Sequence, residues 1–195
     1  MCRKSTKYIM LSIVSTILLI VGDQITKLLA ELYLKGNEAF AIIPDVFELH
    51  YLQNTSAAFG VDPVSILQKL FHFQYFVDHP EAFLMWKMGF FTVFTIIVII
   101  LMFLLFLRIP EKKRFRWIDF MLVLLMSGAI GNLIDRVAHQ YVTDFFYFKL
   151  INFPIFNVAD IYVTVGVFLL IVLGIFYYKE ADFEEIFPSK NNKEK

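Results

Sequence analysis

The chain reads as long apolar runs separated by short polar interruptions. Residues 88–107, MGFFTVFTIIVIILMFLLFL, hold no charged group, and at about 1.5 Å rise per residue such a run covers the roughly 30 Å hydrocarbon core of a bilayer. It predicts a membrane span. Three further runs, Tyr8 to Gly22, Phe120 to Ile134 and Ile161 to Tyr178, are apolar but meet polar groups at one end. The first runs into Asp23 and Lys27, the second into Asp135 and Arg136, and the third is preceded by Asn157 and Asp160. Four helices are expected, over 8–30, 88–107, 118–137 and 158–178. Between the first two, DVFELHYLQ alternates Val46, Glu48 and His50 with Phe47, Leu49 and Tyr51, which predicts a short strand system. Residues 61–86 are rich in rings (Phe71, Phe73, Tyr75, Phe76, Phe83, Trp86) and suit the headgroup zone as an interfacial helix or lid. The expected fold class is an all-α membrane bundle of four transmembrane helices with a small extracytoplasmic β-rich cradle and an interfacial segment.

Composition agrees with a lipid solvent: 58% of the 195 residues are hydrophobic, 23 are Phe and 18% are charged, and the mean hydropathy is +0.65. Charge distribution supplies an orientation. Arg3, Lys4 and Lys7 precede the first run, and Arg108, Lys112, Lys113, Arg114 and Arg116 separate the second from the third, so both flanks are expected in the cytoplasm. The region 35–86, with Glu38, Asp45, Glu48, Asp62, Asp78 and Glu81, then lies outside. This predicts one transmembrane domain over 1–180, both termini cytoplasmic, and a charged cytoplasmic tail at 181–195.

Asp23, Asp135 and Asp160 then fall roughly 22 to 27 Å from the cytoplasmic ends of their helices. Several ionisable groups at one depth imply a shared, partly wet site, because each alone costs about 2.5 to 3.5 kcal/mol near a bilayer centre. Other chemistries find little support. Cys2 is the single cysteine and has no apolar run upstream, so neither a disulfide nor a processed signal-peptide site is expected there. The four histidines lack ligand spacing, so no metal is expected. No serine lies in a G-x-S-x-G context. Carboxylates remain: Asp23, Asp135, Asp144 and Asp160. Two that sit close together cannot easily both ionise, so one keeps a proton while the other acts as a base. Asp23 has Lys27 one turn on and Asp135 adjoins Arg136, which leaves Asp144 and Asp160 without a cation within one turn.

The segments DQITK (23–27), NTSAAFG (54–60), GAIGNLIDRV (128–137), VTDF (142–145) and FNVAD (156–160), in this order along four helices, resemble those of lipoprotein signal peptidase, signal peptidase II. The resemblance implies an integral-membrane aspartic protease whose catalytic pair is Asp144 and Asp160. It implies supporting roles in shaping the site and binding substrate for Asp23, Lys27, Asn54, Asn132, Asp135, Arg136 and Asn157. The substrate implied is a prolipoprotein already carrying diacylglyceryl on the cysteine after its signal peptide, cleaved just before that cysteine in the bacterial inner membrane near its outer face. No cofactor, metal or nucleic-acid partner is implied; membrane lipids are the other partners, and the chain is expected to act as a monomer. Two departures stand out: Ser56 replaces a glycine of the family's second motif, and the 61–86 segment is longer than its counterpart.

Two other function classes fit buried acids. A small transporter or proton relay should place them near the midplane in discontinuous helices with internal repeats, and no repeat is evident. A non-catalytic assembly subunit should tolerate loss of either Asp144 or Asp160.

Overall fold

A computed structural model describes residues 4–56, 63–71 and 74–188. Four of its helices are long and apolar enough to cross a membrane: α1 (Thr6–Leu34), α4 (Pro80–Arg108), α5 (Arg116–His139) and α6 (Val158–Phe176). Between them lie β1 (Phe40–Ile43), β2 (Phe47–Asn54), α2 (Pro63–Phe71), α3 (Gln74–Asp78) and β3 (Val142–Tyr147), and α7 (Glu180–Ile186) follows α6. Cys2, Ala57 to Gly60 of the second motif, parts of the 61–86 segment and the end of the 181–195 tail lie outside the described residues.

α5 sits at the centre of the bundle. Of its most apolar window, 61% is buried, against 6–11% for the other three spans, so α1, α4 and α6 turn most of their apolar surface outward as lipid-facing helices do. Close packing around α5 depends on missing side chains. A Cβ at Gly128 would come within 2.5 Å of the Ala159 carbonyl oxygen on α6, and one at Gly131 within 2.5 Å of Asp23 Oδ2 on α1. Small residues let backbones approach in this way wherever lipid provides no hydrophobic drive between helices.

α4 begins well before the apolar run at 88. Pro80 sits in its first turn, where its fixed φ suits a helix start, and Glu81 complements the positive end of the helix dipole. The late part of the aromatic segment is therefore helix. Its earlier part forms α2, whose Val64 packs with Met88 and Phe91 of α4.

The strand system forms a three-stranded antiparallel sheet in the order β1-β2-β3. Asp45, at φ 57°, turns the chain between β1 and β2. β3 was not among the strands expected from alternation, because Val142, Thr143, Asp144 and Phe145 are all buried, and a strand covered on both faces shows no period of two. Its register sets Asp144 beside Leu52 and Val142 beside Asn54.

At the opposite end of the bundle, Phe106, Ile109, Phe115, Met121, Tyr178 and Ile186 form an apolar cluster. Ile186 belongs to α7, so the segment after 180 is more than a charged tail: Arg114 holds Asp182 through two hydrogen bonds of 3.0 and 2.7 Å, and Lys112 pairs with Glu185. Asp119, buried in α5, pairs with Lys4 and accepts from Tyr8 Oη at 3.0 Å.

Candidate active site

The sheet end of the bundle gathers the acids. Asp23 and Lys27 occupy one face of α1, one turn apart, with Nζ–Oδ2 at 2.8 Å. Lys27 also reaches Asp135 Oδ2 on α5 at 3.1 Å and donates to Asn132 Oδ1 at 2.9 Å. The ammonium thus has all three donors directed at acceptors on two helices, and it is only 4% exposed. The acids are held from other sides too: Asp23 Oδ1 accepts from the Ala159 N–H at 2.8 Å, Asp135 Oδ2 from the Thr143 N–H at 3.1 Å. These bonds tie α1 to the start of α6 and α5 to β3.

Lys27 has a second consequence. Because an ammonium only donates, Asn132 must turn its carbonyl oxygen to Lys27 and its amide nitrogen away. That nitrogen donates to Asp160 Oδ1 at 2.8 Å. Asn157 is fixed similarly. It caps α6, its Oδ1 accepting the Asp160 N–H at 3.0 Å while Asp160 Oδ2 accepts the Asn157 N–H at 3.1 Å. Its nitrogen is left to donate to Asp144 Oδ1 at 2.6 Å and to Asn132 Oδ1 at 3.2 Å. Asn54 completes the set: its Oδ1 accepts the Ser56 N–H at 2.8 Å, and its Nδ2 donates to Asp144 Oδ2 at 2.8 Å. Asp144 from β3 and Asp160 from α6 therefore face one cavity, each held by amide donors that cannot flip without breaking a second bond.

The cavity has a volume of about 500 Å³. Asn54, Asn132, Arg136, Asp144 and Asp160 form its polar wall, and Phe90, Phe94, Val98 and Val163 belong to its apolar one. Burial pushes the Asp144 carboxyl up to about 7, the nearby Asp160 charge adds to the rise, and the Asn54 and Asn157 amides and Lys27 oppose it. Charge repulsion between these two acids is the behaviour expected of a pair sharing a proton.

Arg136 adjoins Asp135 in the sequence, but consecutive side chains leave a helix about 100° apart. Among the described residues Arg136 forms no ion pair; Nη1 makes a 3.5 Å contact with the Asn132 carbonyl and the buried Nε has no hydrogen-bond partner. The charge lies near Asp160, Asp144 and Asp135 without touching them. Gln24 was not singled out in the sequence, yet its Nε2 contacts Asp23 Oδ2, Asp135 Oδ1 and the Gly131 carbonyl at 3.2, 3.0 and 3.2 Å. Its place beside Asp23 in DQITK was the available signal. Ser56, the departure from the family glycine, is not among the residues at positive φ, and what it gives the site is a backbone N–H. Ser56→Gly keeps that donor, so cleavage rates are expected to stay within about twofold of the parent in a precursor-processing assay.

Residues 15–176 match the sequence profile described as signal peptidase (SPase) II. A lipoprotein signal peptidase of Symbiobacterium thermophilum is 39% identical over 164 residues, 83% of this chain and 91% of that protein. One from Clostridium tetani is 35% identical over 178 residues, 90% of this chain and 97% of that protein. Among solved structures, a bacterial membrane enzyme determined by the in meso method at 2.3 Å superposes with a TM-score of 0.67 at 29% identity, covering 92% of this chain and 97% of that one. With a family match spanning most of its length and relatives above one third identity, this membrane protein belongs to the signal peptidase II family.

Proposed function

We propose that the protein is an aspartic endopeptidase that removes signal peptides from diacylglyceryl-modified prolipoproteins, cutting before the lipidated cysteine, with Asp144 and Asp160 as its catalytic pair. The observation that carries this reading is the placement of two carboxylates from β3 and α6 against one cavity, joined through Asn157, which donates to one and caps the helix of the other. The names of the relatives, lipoprotein signal peptidases, support the substrate class.

In this mechanism Asp160 takes a proton from water as the water oxygen attacks the scissile carbonyl carbon. Asp144, in its protonated form, gives its proton to the carbonyl oxygen, and a neutral tetrahedral diol results. Collapse breaks the C–N bond, the proton returning from the diol to Asp144 while Asp160 delivers its own to the departing amine of the cysteine. Arg136, with a free Nε at the cavity wall, is placed to hold carbonyl oxygens of the substrate in the position where charge develops. Asp23, Lys27, Asn132, Asp135 and Asn157 act by positioning, through the bonds that lock the amides.

The apolar wall of Phe90, Phe94, Val98 and Val163 offers the acyl chains a surface continuous with the bilayer. Substrate anchored there by its lipid and its signal helix has lost most of its translational freedom before reaction, which lowers the entropic part of the barrier. The basic residues Lys4, Lys112 and Arg114 gather at the other end of the bundle. This supports an inner-membrane enzyme with cytoplasmic termini and its site toward the outer face.

The test is purified protein incubated with a lipidated precursor and, in parallel, with the same precursor lacking diacylglyceryl, the product N-termini being read by mass spectrometry. A new N-terminus at the lipidated cysteine, from the modified precursor alone, is expected. Equal cutting of both precursors, or none of either, overturns the reading. The pH profile adds a second check. Asp144 must carry its proton, which it holds below about 7 and loses as pH rises through that value. kcat/KM should therefore fall about tenfold per unit on the alkaline side, with an acid limb where the second carboxyl of the pair becomes protonated. A profile flat from about pH 6 to about pH 9 contradicts a shared proton.

A further inference from the structure

Opposite the carboxylates, where Lys4 pairs with Asp119, α1 and α5 leave a groove of about 420 Å³ between them. Leu11 and Leu18 from α1 and Phe120 and Val123 from α5 give it apolar walls, with Ser15 partway down. Arg116, in the first turn of α5, stands at its mouth. Lys7, exposed one turn before Leu11 on α1, is a second cation at the same end of the two helices. Among the described residues neither the Lys7 nor the Arg116 side chain makes a hydrogen bond or a close ion pair, although Glu111 lies within electrostatic reach of Arg116. Lys4 is bound to Asp119, and Glu111 accepts the Ser5 N–H at 2.6 Å. Lys7 and Arg116 against Glu111 leave the mouth with one net positive charge.

We infer that this groove holds an anionic phospholipid of the cytoplasmic leaflet, its phosphodiester between Lys7 and Arg116 and one acyl chain between α1 and α5. Several features argue for that occupant. The groove opens outward beside Leu11 and Leu18 of lipid-facing α1 and the exposed Phe120 of α5, so what fills it comes from the bilayer. Below the mouth, beyond Asp119 with its Lys4 partner, the walls are mainly hydrocarbon from Leu11, Leu18, Leu19, Phe120 and Val123, with Ser12 and Ser15 between them, which suits an acyl chain. A single net positive charge at headgroup depth complements a single phosphodiester, and cations at this level attract anionic lipid. Zwitterionic lipid would bring its own cation against Arg116 and bind less well.

The experiment is native mass spectrometry of the full chain released from detergent with added phosphatidylglycerol, phosphatidylcholine or glycerol 3-phosphate. Phosphatidylglycerol is expected to give a single saturable adduct, at least about tenfold preferred over phosphatidylcholine, with no adduct from glycerol 3-phosphate. Each cation near a bilayer surface is worth roughly a factor of five. Lys7→Gln with Arg116→Gln should therefore lower the adduct by more than about tenfold while precursor cleavage in micelles is unchanged. Lys113→Gln, an exposed cation outside the groove, should leave the adduct intact. Ser15→Phe fills the groove without altering charge and should remove the adduct, a thermal midpoint near the parent's showing that it folds. The inference is overturned by equal adducts with both phospholipids, by binding of glycerol 3-phosphate, by an adduct that survives the double substitution, or by equal loss on Lys113→Gln. Because cleavage is read separately, its failure leaves the proposed protease activity standing, and the reverse holds.

Discussion

Asp144→Asn and Asp160→Asn are each expected to lower kcat on a lipidated precursor by about 10² to 10⁴-fold while the protein stays folded and inserted. Each change removes the proton traffic of the pair and keeps the side-chain volume. Folding should survive because both acids are held by donors rather than by an ion pair: Asp144 by Asn54 and Asn157, Asp160 by Asn132 and the Asn157 N–H. At position 144 an amide must turn its own nitrogen toward one of two donors, each locked by a second bond. That costs about one hydrogen bond, on the order of 1–3 kcal/mol, and is partly offset by relief of a buried charge. Since the two carboxyls work as one unit, the double variant should be no slower than the slower single variant. The measurements are single-turnover cleavage and a thermal melt of each purified protein. Folded single variants that retain parental rates would remove the pair from the mechanism and favour a non-catalytic subunit.

Lys27→Met should have the largest effect on stability. The ammonium is 4% exposed and serves both Asp23 and Asp135, so its removal leaves two buried carboxylates facing each other with no cation between them. Breaking a buried pair by deleting one partner typically costs about 3–5 kcal/mol, whereas an exposed ion pair is worth about 0–1 kcal/mol. Methionine retains the apolar stem, so lost packing contributes little. Activity should fall as well, because Asn132 is oriented by Lys27 and in turn orients toward Asp160. Adding Asp23→Asn to Lys27→Met should recover part of the stability, since one of the stranded charges is then gone, but it should not restore the rate. A loss below about 1 kcal/mol on denaturation in detergent would show that Lys27 is screened like a surface charge, against the burial described above.

Much of the architecture was legible in the chain because it is encoded locally. Apolar length is a property of consecutive residues, so the four spans could be placed directly. The Asp23 to Lys27 pair follows from spacing within a single helix, and it forms as expected. Alternation exposed β2, which keeps part of one face open, whereas β1, exposed along its whole length, carries no alternating signal. β3 escaped because burial on both faces erases the alternating signal. The early start of α4 was hidden by a change in polarity at residue 80 that Pro80 and Glu81 turn into a helix start. Packing of the segment after 180 was hidden too, since Ile186, its buried apolar residue among those described, stands beside the charges Glu184 and Glu185.

Within the site, the sequence by itself determined which residues are available: five short polar motifs, each with a carboxylate or an amide, three of them placing a carboxylate at one depth. Only the tertiary structure decided who meets whom. Asp135 turns to Lys27 of another helix instead of to Arg136 beside it, because consecutive side chains on a helix point about 100° apart. Among the described residues, Arg136 is thereby left without an ion-pair partner, its Nε unbonded at the cavity wall. Asp144 and Asp160 reach one cavity because Gly128 and Gly131 let α6 and α1 settle against α5 closely enough for Asn132 and Asn157 to bridge them. Helical period and apolar length act over a few residues and can be read along the chain, whereas the partner of a buried charge depends on docking between distant segments, to which adjacency in sequence gives no guide.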